Sequence, residues 1–164
     1  MALPSMVNAQ KFGYVDTDYI LEKMPEYNSA QKQINDLSSN WQKEIDVLYA
    51  EIDKMYKDYI AEDPILTPAQ KKTREQAIVD KENDAKKMQQ QRFGVEGDLF
   101  KKRQELIKPI QDKVYEAIKK VAKDNALDFI FDKAGGVVML YTNAKYDKSD
   151  EVLDELGIAL KDDK

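Results

Sequence analysis

The sequence predicts an α+β fold that is mostly helical, with a small β-sheet body carrying a long antiparallel helical hairpin. Three observations predict it. Short aromatic and β-branched runs lie near both ends of the chain. A heptad-like apolar stripe runs from Ala30 to Tyr59. A two-proline break at residues 62–68 then separates that stripe from a second helical run. Composition agrees. With 42% hydrophobic and 35% charged residues in 164, the chain is too charged for one compact sphere and too apolar for a disordered one.

Residues 1–10 read as a signal-peptide remnant or a disordered terminus, because Val7-Asn8-Ala9 offers small residues at the positions a signal peptidase reads. Phe12 to Asp16 (Phe-Gly-Tyr-Val-Asp) reads as a strand, and Asp16 or Thr17 caps a short helix reaching Met24. Pro25 suits the first position of the next helix, where its missing N–H costs nothing. From there to about Ala61, apolar residues fall at 30, 34, 37, 41, 45, 48, 52, 55 and 59, with one stutter at Trp41 to Ile45. So narrow a stripe buries one seam and needs one partner helix. Glu62 to Pro68 is the tip, with Thr67 capping the return helix and Pro68 at its first position. The return run reaches about Asp124. It is sparse in apolar residues at first, richer after Lys101–Arg103, and weakened or bent at Gly94, Gly97 and Pro109. A fold centred on Ile65 sets Trp41 near Met88. Residues 26–63 carry net −5 and residues 68–105 net +3, so the two legs attract each other. An arm of about 35 residues at ~1.5 Å each reaches roughly 50 Å.

Beyond Asn125, Leu127 to Asp132 reads as a strand, Lys133 to Gly136 as a turn, and Val137 to Thr142 as the return strand of a hairpin. Ser149 is placed to cap a last helix with Val152, Leu153, Leu156 and Leu160 on its buried face. Residues 11–25 and 106–164 thus form the body and residues 26–105 the arm. About 80 residues make a marginal core. A three-stranded sheet exposing Phe12, Tyr14, Phe129, Phe131, Val137, Met139 and Tyr141 needs its edges and second face covered. Oligomerisation through those residues meets both needs.

The chain has no histidine and no cysteine, which excludes Cys/His zinc sites, thiol nucleophiles and Ser-His-Asp triads. The glycines form no phosphate loop, and the carboxylates fall beside lysines on solvated helix faces, so neither an enzyme nor a cofactor or metal site is expected. A net charge of −5 argues against a nucleic-acid partner.

Phe12-Gly-Tyr-Val-Asp-Thr-Asp-Tyr-Ile-Leu21 with Met24-Pro-Glu-Tyr27, Ile110 to Asp132, and Val137 to Leu156 together resemble the Skp/OmpH family of periplasmic chaperones. The resemblance implies a homotrimer in which the β-rich bodies associate and three helical arms surround a cavity. Unfolded outer-membrane β-barrel precursors are held there without ATP, in the periplasm. The chain departs from the best-known members in being acidic. That departure removes the ground for lipopolysaccharide or anionic-lipid binding, unless Lys71, Lys72, Arg74, Lys86, Lys87 and Arg92 form a local patch.

Client contact is expected at Tyr49 and Tyr56, one heptad apart on one face, and at Ile60, Ile65 and Leu66 near the tip. Gly94 and Gly97 are the expected hinge. The rival readings are a structural coiled-coil scaffold or tether without chaperone activity, and a prefoldin-like chaperone. Prefoldin-like chains place their strands between the helices, and here the strands lie outside them.

Overall fold

The computed structural model describes residues 10–136 and 138–159. In order, the elements are β1 (Phe12–Val15), α1 (Thr17–Lys23), α2 (Pro25–Glu62), a 3-10 turn (Asp63–Ile65), α3 (Pro68–Phe93), α4 (Asp98–Asp124), β2 (Phe129–Asp132), a second 3-10 turn (Ala144–Tyr146) and α5 (Ser149–Glu155). They divide into two compact units. One takes its described residues from Met1–Ala30 and Ile107–Lys164, and the other is Gln31–Leu106.

In the first unit, β1 and β2 pair in parallel with Phe12 opposite Phe129 and Tyr14 opposite Phe131. Parallel strands need a long crossover, which the intervening helices supply. Alternation along the strands puts Phe12, Tyr14, Phe129 and Phe131 on one face and Gly13 and Val15 on the other. On the second face Gly13 is required by close approach, since a Cβ there would lie 3.1 Å from Leu127 Cδ1 and 3.3 Å from the Tyr146 carbonyl oxygen. Val15, Ile20, Leu21, Met24, Val114, Val121, Val152 and Leu153 are buried in this unit.

A polar knot ties the strand ends to the helix starts. Asp16 accepts from the Tyr19 amide and so caps α1. Asp132 accepts from the Thr17 amide at 3.1 Å, the Thr17 hydroxyl at 2.7 Å and the Ala134 amide at 3.0 Å. Ser149 does not cap α5. It is buried, donates its hydroxyl to Asp147 at 2.6 Å and accepts from the Asp16 amide at 2.9 Å. Asp147 thereby presets the entry to α5 and frees Ser149 for the longer-range bond.

The three-stranded sheet expected from the sequence is not formed among the described residues. The sheet has two strands, and residues 138–142 have no regular structure. Asp132 takes the Ala134 amide into a local turn, which leads the chain away from the ladder. The other edge of β1 meets Asp147 instead, in an isolated parallel bridge, with the Lys148 amide donating to the Tyr14 carbonyl. Val137 and Leu160 lie outside the described residues.

In the second unit, α2 and α3 form an antiparallel hairpin. The apolar stripe is its seam: Ile34, Ile45 and Ile52 are buried, while Leu37, Trp41, Leu48, Met55 and Tyr59 are half-buried. From α3 the seam receives Ile78 and Ala85, packed with Ile52. Thr67 closes a capping box with Gln70, and Pro68 opens α3. The pairing runs about one turn further along than a fold centred on Ile65 predicts, so Trp41 lies against Arg92 and Phe93. The cause is the tip, where the 3-10 turn and the extended Leu66 move the pivot towards Thr67.

Candidate functional surfaces

The hairpin has two unlike flanks. One is ionic: Glu51 pairs with Lys81 at 2.6 Å, Glu62 with Arg74 at 2.9 Å, and Glu44 faces Arg92 at 4.0 Å. Pairs this exposed contribute about 0.2–1 kcal/mol each. The other flank is aromatic. Tyr49 donates to Gln89 Oε1 at 3.3 Å, Tyr56 to Glu82 Oε1 at 3.0 Å and Tyr59, from the seam, to Glu75 Oε1 at 2.6 Å. The hydrogen bond to Glu82 raises the Tyr56 phenol above its ordinary range, and the bond to Glu75 pushes Tyr59 up to about 12.

These bonds tie the hydroxyls across the hairpin and leave the rings partly open. Tyr49 is 40% exposed, Tyr56 42%, Ile60 69% and Ile65 82%, with Leu66 half-buried beside the tip. Helical spacing places Tyr49, Tyr56 and Ile60 in one column. Val79 was not singled out from sequence. It is 44% exposed on the face of Glu75 and Glu82, so it joins the same flank. Nothing local in the sequence marks it; the tyrosine–glutamate bonds do.

The basic residues of α3 do not make a free patch. Lys71 pairs with Asp63, Arg74 with Glu62, Lys86 with Glu82, and Arg92 with Asp98 and Glu44. Lys72 and Lys87 alone of the six have no ion pair among the described residues.

Gly94 and Gly97 sit where the second helical run breaks. Gly94 caps α3 through a 2.8 Å bond from its amide to the Gln90 carbonyl. A Cβ at Gly94 would stand 2.4 Å from the Gln90 oxygen, and one at Gly97 would stand 2.7 Å from the Gln91 oxygen. Backbone crowding, not conformational freedom, demands glycine at both positions.

In the first unit the aromatic sheet face is largely uncovered. Phe12 is 51% exposed, Phe129 52% and Phe131 43%, while Tyr14 is buried and Met139 half-buried. Phe12 stacks on Tyr146 at 5.2 Å, beside a cleft of about 340 Å³ also lined by Phe131, Met139 and Tyr141. Tyr141 is 85% exposed, and so, unforeseen from the sequence, are Val138 at 84% and Leu140 at 96%. Four consecutive apolar side chains, 138–141, thus follow the Gly135-Gly136 pair without an intrachain ladder.

Among the described residues no cluster of acidic, histidine or cysteine side chains is arranged to hold a metal ion, and no helix is long and apolar enough to cross a membrane.

The family model for outer membrane protein (OmpH-like) matches residues 11–156. The chain belongs to the OmpH-like family. Among solved structures, this OmpH-like chain is similar to an OmpH-like outer membrane chaperone candidate from Caulobacter crescentus CB15. The TM-score is 0.73 at 13% identity, covering 100% of this chain and 95% of the other. That likeness establishes the OmpH-like fold: mostly helical, with long helices and a small sheet. No curated protein matches the chain.

Proposed function

We propose that this OmpH-like protein is an ATP-independent periplasmic holdase. It holds unfolded outer-membrane β-barrel precursors against its helical arms and prevents their aggregation. The observation that carries the reading is the flank of Tyr49, Tyr56 and Ile60, continued at the tip by Ile65 and Leu66. Its rings are exposed yet held in place by their own hydroxyls. A holdase needs many weak, undirected contacts, and fixed amphipathic rings provide contact area at little entropic cost. Val79 extends the same surface. Membership of the OmpH-like family supports a chaperone role in the outer-membrane pathway.

In this reading the protein is a homotrimer, assembled through Phe12, Tyr14, Phe129, Phe131, Val137, Met139 and Tyr141. An uncovered aromatic sheet face next to residues 138–141 is the kind of surface that association buries. Gly94 and Gly97 serve in this reading as the hinge of the arm. No nucleotide, metal or nucleic acid takes part, and lipopolysaccharide binding is not proposed, because the α3 cations are mostly paired within the hairpin.

The test is light scattering of an unfolded β-barrel protein diluted from urea, alongside the protein's mass in solution. The parent chain should suppress aggregation as a trimer. Tyr49→Ser with Tyr56→Ser should lose suppression while staying trimeric, and the corresponding Phe pair should retain it. Unchanged suppression by the Ser pair would refute the contact surface. A parent that never suppresses aggregation would leave the scaffold reading standing.

A further inference from the structure

Two glycines in a broken helix would ordinarily leave a loose joint, yet the break between α3 and α4 is hydrogen-bonded and bridged by a side chain. The chain leaves α3 at Gly94, turns through a Gly97 amide to Gly94 carbonyl bond of 2.9 Å, and enters α4 with the Lys101 amide donating to the Gly97 carbonyl at 3.1 Å. Arg92, in the last turn of α3, reaches over this turn. Its Nη1 donates to Asp98 Oδ2 at 2.6 Å, in the first turn of α4. Its Nη2 faces Glu44 of α2 at 4.0 Å. The guanidinium carbon lies 4.7 Å from the centroid of Trp41, also on α2, and Phe93 meets the same ring edge-on at 6.4 Å. Arg92 Nε is buried with no hydrogen-bond partner. One side chain thus ties α3 to α2 and to the first turn of α4, through residues that all lie in the hairpin unit.

We propose that Arg92, held between Trp41 and Asp98, is a latch that fixes the corner between α3 and α4. The corner is a positioned bend as long as the latch is closed and a swivel once it opens. Three features support this. The guanidinium is planar and presents donors in a rigid fork, so it binds a carboxylate directionally while lying against an indole, a geometry that a lysine's point charge does not fix. The buried Nε gives up solvent without gaining a partner, a cost accepted only where the other contacts hold the group. The crowding at Gly94 and Gly97 explains why the turn forms but not the angle at which α4 leaves it; the Arg92–Asp98 bond constrains that angle. The helix ends help as well, with a cation at the C-terminus of α3 and an anion at the N-terminus of α4. The inference rests on the hairpin itself and is independent of the holdase reading.

The test uses the absence of cysteine in the 164-residue sequence. Spin labels at Asn83→Cys on α3 and Gln104→Cys on α4, both exposed, report the distance across the corner. The parent should show one narrow distance distribution. Arg92→Gln should broaden it and raise quenching of Trp41, the single tryptophan, by acrylamide. Asp98→Asn, nearly isosteric, should broaden the distance distribution while leaving the Trp41 contact, and it decides the matter if Arg92→Gln loses helix by circular dichroism. A narrow, unshifted distribution in Asp98→Asn, or in a folded Arg92→Gln, would overturn the latch. So would a broad distribution in the parent.

Discussion

Replacing Ile78 by alanine should open the hairpin unit and leave the sheet-containing unit intact. Ile78 is 3% exposed, and on the 26-residue α3 only Ile78 and Ala85 are buried. The seam holds Ile52, Leu48, Met55 and Tyr59 from the facing helix. Ile78 is therefore the one large apolar side chain of α3 that is buried, with Met88 and Phe93 only half-buried. Truncating a buried isoleucine to alanine costs about 2–5 kcal/mol, less where the surroundings relax. Because the seam is narrow and open to water along both flanks, we take about 3 kcal/mol. At ~1.4 kcal/mol per factor of ten, that is an increase of about a hundredfold in the population of locally opened hairpin. Hydrogen exchange followed by mass spectrometry reads it directly. Peptides spanning residues 70–92 should exchange about a hundredfold faster, and those spanning residues 110–121 should not change. Val79→Ala is the control, since an exposed substitution shifts stability by roughly 0.5 kcal/mol or less. The reasoning fails if Ile78→Ala accelerates α3 no more than Val79→Ala does, or accelerates both units equally.

Two predictions concern pH. Tyr59 titrates at about 12, above its ordinary 10.0, chiefly through its hydrogen bond to Glu75. A raised value in the folded state means that its stabilisation is whole below pH 10 and is lost as the pH rises through about 12. Ultraviolet titration of Glu75→Gln should show one phenol returning towards its ordinary range; an unchanged curve would refute the bond. At the acid end, Asp16 is lowered by its bond from the Tyr19 amide, against a smaller opposing effect of burial, with Lys133 adding to the lowering. Glu151 is lowered chiefly by its bond from Lys148, again against burial, with Asn125 assisting. Folded values below the ordinary 3.8 and 4.5 give stability that is present above those values and lost as the pH falls through the folded ones. Acid denaturation of Asp16→Asn should therefore be shallower than that of the parent in the sheet-containing unit.

Much of the helical architecture was legible because its causes are local. Asp16 capping α1, the Thr67 capping box and the seam spacing all act within a few residues or along one helix face. The features that escaped depend on distant partners. A ladder for residues 138–142 depends on how they meet the outer edge of β2, which their own apolar, β-branched character does not decide. Ser149 looks like a helix cap in sequence, but its hydroxyl is taken by Asp147 and by the Asp16 amide, a residue 133 positions away. The hairpin register missed by a turn because periodicity fixes which face is apolar and says nothing about how many residues the tip consumes. The corner at Gly94–Gly97 announced itself as two glycines in a helix. The contacts of Arg92 with Trp41 and Asp98, which give that corner its shape, leave no periodic signal.

The division of labour within the hairpin bears on the holdase reading. Cohesion comes from Ile52, Ile78 and Ala85 in the seam, and alignment comes from ion pairs on one flank. Tyr49 and Tyr56 belong to neither set. Each gives its hydroxyl to the opposite helix and keeps some two-fifths of its surface in solvent. A phenylalanine there would present the same ring without the tether, and a serine would keep a hydroxyl too short to cross. If the rings served only to brace the hairpin, the Phe and Ser variants would both lose that hydrogen bond, and client retention would follow stability. If the rings are the contact surface, retention follows aromatic area and is indifferent to the bond. The two accounts part at Tyr→Phe, where the tether is cut and the ring remains.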